Sequence, residues 1–221
     1  MKKIVDNLRF NSKNQLVCKG KNGKECPVFK KQGSLDGACA TYSVIMNLLI
    51  LGVISDVDTR IYAEHKNKDT KKLFKVFCND YGMHRNGQSF YKIKRMLEEG
   101  FGKVVDVQHT NTKTSGIESL KNTTSVIDEG IPVIISISNN NNMCHAMLAV
   151  GYEKEEDEVS RVFCLDPSGD YIHGRKRWNA TIDVNMTRKN VFIYESVLEG
   201  KKQRSLVDLD DILILRKIVI S

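Results

Sequence analysis

The chain has 221 residues, 41% of them hydrophobic, which is enough to bury a core and within what one domain fills. Only three prolines occur, no stretch is Gly/Ser-rich and no long period repeats, so neither a linker nor a solenoid is expected. The net charge of +7 favours acidic partners, but Lys and Arg fall in short separate clusters without a nucleic-acid motif, a pattern of solvated basic faces that argues against nucleic acid as a partner. Met1 to Phe10 carries Lys2 and Lys3 but continues with Asp6, Asn7 and Arg9 in place of an apolar run. No signal peptide is expected there, and a cytoplasmic location follows as the expectation, with delivery as an effector compatible.

Residues 1–31 read as an arm of short strands and turns, with a strand over Leu16 to Cys18 and a Gly- and Asn-containing hairpin loop over Lys19 to Lys24. Residues 32–221 are expected to form the main unit, the whole making a single compact domain. After a turn-rich loop from Gln32, the segment Ala40 to Leu51 is apolar almost all round, as a buried central helix would be. The longest apolar stretch, Val44 to Ile54, is broken by Asn47 and is too short to span a bilayer. Helical periodicity recurs over 69–80, 89–99 and 115–129. Strand-like runs follow at 131–138, 146–152, 159–165, 191–197 and 212–220, and 104–107 is a candidate to join them. Helices first and strands later imply an α+β fold, a helical layer on a mainly antiparallel sheet.

Six cysteines (18, 26, 39, 78, 144, 164) are scattered, with no CxxC pair and no zinc-finger spacing, so neither a metal nor another cofactor is expected. Without a secretory signal, disulfides are not expected either, and the Asn-x-Ser/Thr triplets at Asn122, Asn179 and Asn185 carry no meaning as glycan sites.

A nucleophilic thiol must ionise, and the start of a buried helix supplies the positive dipole end that lowers its pKa. Cys39 occupies that place, between Ala38 and Ala40 and after two glycines that permit tight turns. His145 opens an otherwise apolar strand just after the polar run Asn139 to Asn142, where buried strand meets surface. The competing readings are a small core cysteine and a satisfied strand-end histidine. The other histidines (65, 84, 109, 173) lie in polar or turn-like surroundings. A third group must accept from the second ring nitrogen and fix the tautomer. Asp166 ends the next strand, before Pro167, and a hairpin turn over Glu153 to Glu158 would lay it beside His145. Asp36 and Asp170 read as turn residues.

The stretch Gln32-Gly-Ser-Leu-Asp-Gly-Ala-Cys-Ala40 resembles the Gln-Gly-Ser-x-Gly-x-Cys-x-Ala stretch of papain-like cysteine peptidases. Downstream, the order Gly-Ile-Pro-Val-Ile-Ile (130–135), His145-Ala-Met-Leu-Ala-Val-Gly-Tyr152 and Leu165-Asp-Pro167 is similar to the bacteriocin-processing, double-glycine-type branch of that superfamily. The resemblance covers about residues 30 to 170 and implies a helical lobe carrying the thiol and a sheet lobe carrying His145 and Asp166, with a cleft between. It also implies that the Gln32 side-chain amide joins the Cys39 backbone N–H in an oxyanion hole. Gln32 precedes Cys39 by seven positions, one more than is usual in papain.

The implied activity is hydrolysis of peptide or amide bonds in a protein or peptide substrate. The same constellation serves deamidases, transglutaminases and acyltransferases, including effectors and toxins, so these stay open. A different class of reading, a catalytically inactive basic binding module, draws on the charge alone. Oligomeric state is not encoded in any pattern here.

Overall fold

The computed structural model of the protein describes residues 1–33, 37–59, 68–75, 88–111, 116–139, 144–184 and 190–219. Its centre is a sheet built around two long strands, β7 (Cys144–Glu155) and β11 (Lys201–Lys217). β6 (Val133–Ser138) lies between them, antiparallel to both. From β11 the sheet continues through β10 (Phe192–Leu198), β9 (Ala180–Val184) and β8 (Glu158–Leu165), and β8 pairs back onto β7. Six strands therefore close into an antiparallel barrel, which leaves these strands no long free edge. The mix of helix and strand fits the α+β class expected from the sequence, and the mainly antiparallel sheet is closed into a barrel.

The long strands outlast their neighbours, and short strands take over. β1 (Lys2–Ile4) pairs with β7 over 151–153, beyond the end of β6, and β5 (Val105–Asn111) pairs with β11 over 211–217, beyond the end of β10. The first residues of the chain thus belong to the main sheet. Only β2 (Arg9–Phe10), β3 (Leu16–Lys19) and β4 (Glu25–Pro27) form a separate three-stranded sheet. Leu16, Cys18 and Cys26 of this sheet, with the flanking Leu8 and Val28, pack into the same apolar cluster as the barrel and helices.

Helix α1 (Cys39–Ile50) packs on β6 and β7, and α3 (Phe90–Phe101) and α4 (Gly116–Asp128) cover β5, β11 and the β7 side. α2 is described over Lys68–Phe74, and the rest of the helix expected up to residue 80 lies outside the described residues. Coverage on both faces explains why β7 is buried without a break from Ala146 to Tyr152 and why its sequence reads as a continuous apolar run. β10 faces water on one side, and its burial alternates with Phe192, Tyr194 and Ser196 inward.

α1 is apolar nearly all round, as its sequence implies, yet its packing direction is set by a polar stripe. Cys39, Ser43 and Asn47 stand four residues apart on one face. The Asn47 amide donates to the Pro132 carbonyl at 2.9 Å, and Ser43 Oγ donates to the Ala146 carbonyl at 3.4 Å. Both side chains are fully buried, so these bonds fix the helix against the starts of β6 and β7.

Candidate active site

The stripe that docks α1 begins with Cys39, the first residue of the helix. The N-cap residue, Ala38, supplies no side-chain cap and the first turn holds no acidic residue, so the positive end of the helix dipole meets the sulfur. The Ala146 backbone N–H donates to Cys39 Sγ at 3.4 Å, which ties the sulfur to the strand that carries His145.

β7 and β8 form a hairpin whose turn residues Glu156 and Asp157 both have positive φ, at 49° and 66°, the left-handed pair that matches the twist of the flanking strands. The ladder runs from Glu155 opposite Glu158 to Leu148 opposite Leu165, bringing the head of β7 beside the end of β8. There His145 Nε2 lies 2.7 Å from Asp166 Oδ1. With Nε2 engaged, Nδ1 is the ring nitrogen left to bond the Cys39 sulfur, with which the imidazole also interacts.

Asp166 is fully buried and heavily bonded. Oδ1 also accepts from the Ser168 N–H at 2.8 Å, and Oδ2 accepts from the Tyr194 hydroxyl. Asn179 grips the backbone on both sides, accepting from Asp166 N at 2.7 Å and donating to Asp166 O at 2.8 Å. Neither Tyr194 nor Asn179 is among the site residues expected from the sequence. Their only signals were a tyrosine at an inward position of β10 and a polar residue between Trp178 and the start of β9. Tyr194→Phe would leave Oδ2 without its donor, and we expect a loss of about 1–3 kcal/mol in urea unfolding; an unchanged midpoint would show that the bond contributes nothing.

Burial opposes every charge in this group, and the partners outweigh it. Burial lowers the affinity of His145 for a proton, but hydrogen bonds from its ring to Asp166 and Cys39 and their negative charge push its pKa up to about 10. For Asp166 burial raises the pKa, while His145, Tyr194 and the Ser168 N–H bring it below the usual carboxylate value. Burial likewise raises the Cys39 thiol, and the bond and charge of His145 with the N–H groups of Ala146 and Ala40 hold it below its ordinary value. The groups favour a thiolate–imidazolium pair.

Gln32 sits on the same turn by other contacts. Its backbone N–H donates to the Pro167 carbonyl at 2.8 Å, and its side-chain Oε1 accepts from Ser168 Oγ at 3.3 Å. Asp170 is a loop anchor, bonded to Lys31 at 2.7 Å and to the Gly200 N–H at 3.0 Å, and Asp36 lies outside the described residues. A second histidine–carboxylate pair exists, His109 with Asp211 at 3.2 Å on β5 and β11. A cavity of ≈ 360 Å³ opens beside the first pair, walled by His145, Asp166, Tyr194, Leu198 and Gln203 among others.

Against known proteins, the model of the Peptidase_C39 like family matches residues 24–192. The chain belongs to that family. Membership in this C39 branch of the papain-like cysteine peptidases supports peptidase activity of cysteine type, on a protein or peptide substrate. None of the curated proteins compared matches this family member. Among the described residues, no cluster of three or more His, Cys, Asp or Glu side chains could hold a metal ion, and no helix is long and apolar enough to cross a membrane.

Proposed function

We propose that the protein hydrolyses peptide bonds with Cys39 as nucleophile, His145 as acid and base, and Asp166 as the group that orients and charges the imidazole. The observation that carries this reading is one chain of contacts, from a sulfur at a helix start to an imidazole whose far nitrogen is held by a buried carboxylate. The thiolate attacks the scissile carbonyl carbon, and the carbonyl electrons move to oxygen. The Cys39 backbone N–H lies at the helix start, where it has no intrahelical acceptor and can donate to that oxyanion. Gln32 completes the hole: its Oε1 is the acceptor from Ser168, so Nε2 is the donor end.

Collapse of the intermediate breaks the C–N bond, and the His145 imidazolium gives its proton to the leaving amine. The cavity beside His145 receives the departing segment. Water, deprotonated by the now neutral imidazole, then attacks the thioester, releasing the acid and restoring the thiolate. The helix α1 and barrel halves act as the two lobes of a papain-like arrangement.

Iodoacetamide at pH near 6 tests the pair directly. Cys39 is expected to alkylate about tenfold to a hundredfold faster than Cys144, which is the more exposed thiol, with Cys18, Cys26 and Cys164 slower still because they are buried. Equal rates at Cys39 and Cys144 would rule out a thiolate–imidazolium pair.

A further inference from the structure

The loop between β8 and β9 carries Arg175, Lys176 and Arg177 in a row, followed by Trp178. Arg175 and Lys176 are exposed, and among the described residues neither makes an ion pair. Arg177 donates to the Leu8 carbonyl at 3.0 Å, tying the loop to the start of the small sheet. Between them opens a cavity of ≈ 520 Å³ lined by these three cations with Lys2 and Arg9. Lys2 and Arg9 are paired with Glu153 at 3.7 Å and Glu25 at 2.9 Å, so among the described residues Arg175, Lys176 and Arg177 are the lining charges without a carboxylate partner. Trp178 stacks on Phe163 at 4.0 Å, and the Lys2 and Lys176 ammonium groups lie 5.4 and 5.7 Å from its ring centre. The rings thus hold two of the five charges in place.

Like charge gathered in a concavity favours an anionic occupant. A second cavity of ≈ 420 Å³ shares Arg175, Lys176 and Trp178 as a wall, and there Asp170 and Glu195 join the lining. A nucleic-acid strand running through both would meet those carboxylates, and its bases would find the Trp178 ring already engaged by Phe163 and two ammonium groups. A short acidic stretch of polypeptide avoids both conflicts, since its carboxylates can face the cations while its other side chains pass Asp170 and Glu195. The loop is also built into the candidate site, because Asn179, next after Trp178, holds both backbone groups of Asp166.

We propose that the Arg175–Trp178 face is an exosite that captures an acidic segment of a polypeptide substrate, an inference that rests on the peptidase reading above. Fluorescence anisotropy of a labelled oligoglutamate tests it on the full chain, with Arg175→Glu/Lys176→Glu against the control pair Lys13→Glu/Lys24→Glu, which changes the net charge equally at exposed sites of the small sheet. The loop reversal is expected to weaken binding about tenfold and the control by less than about twofold. Equal effects of the two pairs, or no binding at low salt, would overturn the proposal. Oligouridylate bound more tightly than oligoglutamate, and lost on the same reversal, would overturn it in favour of a nucleic-acid face. Cys39 alkylation in the same samples separates the layers. A fast Cys39 with loop-independent oligoglutamate sinks the exosite alone; an unreactive Cys39 sinks the peptidase reading and the exosite's role with it.

Discussion

Cys39→Ala is expected to reduce peptide turnover by at least about 10⁴-fold while the chain stays folded. The loss follows from chemistry: without the sulfur no acyl-enzyme forms, and the remaining oxyanion donors cannot supply a nucleophile. The fold should tolerate it because the bonds of the sulfur, with His145 and the N–H groups of Ala146 and Ala40, are not what docks the helix: Ser43 and Asn47 still fix α1 to β6 and β7. Alanine also suits the first turn of a helix. The measurement is the appearance of new peptide N-termini from a complex peptide mixture, with far-UV circular dichroism and thermal unfolding on the same samples. Wild-type cleavage by the variant would remove Cys39 from the mechanism, and a lost fold would be read from the spectra before any kinetic conclusion.

Much of this arrangement is visible in local sequence, and the reasons differ from part to part. The hairpin β7–β8 could be read because its two strands carry apolar runs joined by a polar turn, and the turn lays the head of one strand beside the end of the other. The start of α1 was equally legible, since glycines and a turn-rich loop give way abruptly to an all-round apolar helix. Barrel closure was not, because it depends on β9 and on the first half of β11. Lys201 to Asp211 is, apart from the exposed Leu206, charged and polar on the face that meets water, and only Val207 and Leu209 of that stretch are well buried apolar residues, so its strand character shows only against β10. The carboxylate's remaining partners were hidden for the same reason: Tyr194 reaches Asp166 across the barrel interior from a strand with no local sequence link to it. A histidine near an aspartate is itself a weak signal, as His109 with Asp211 shows, and what distinguishes His145 is the third group on its other side.

Asp166→Asn separates charge from geometry at that third group. The amide oxygen can take the place of Oδ1, still accepting from the Ser168 N–H and His145 Nε2, while the amide nitrogen donates to the Tyr194 oxygen, whose own proton turns to Ser196 Oγ 2.9 Å away. Asn179 grips only the backbone of residue 166 and is unaffected. What disappears is the negative charge that helps hold the imidazolium up to about 10. The pH limit above which His145 can no longer protonate a leaving amine therefore moves down from about 10 toward the ordinary 6.5. The lower limit moves the other way, because Cys39 is held below its ordinary value partly by the charge on His145 and rises as that charge is lost. The two limits close on each other, and at neutral pH the pair shifts from thiolate–imidazolium toward neutral thiol and imidazole. We expect kcat/KM at pH 7 to fall by about 10²- to 10⁴-fold, with the wild-type plateau replaced by a narrow maximum. The check is a pH series of hydrolysis alongside Cys39 alkylation: the alkylation midpoint should rise in the variant while the upper limb of hydrolysis falls. An upper limb that stays where it is in the wild type would mean that the Asp166 charge does not support the imidazolium.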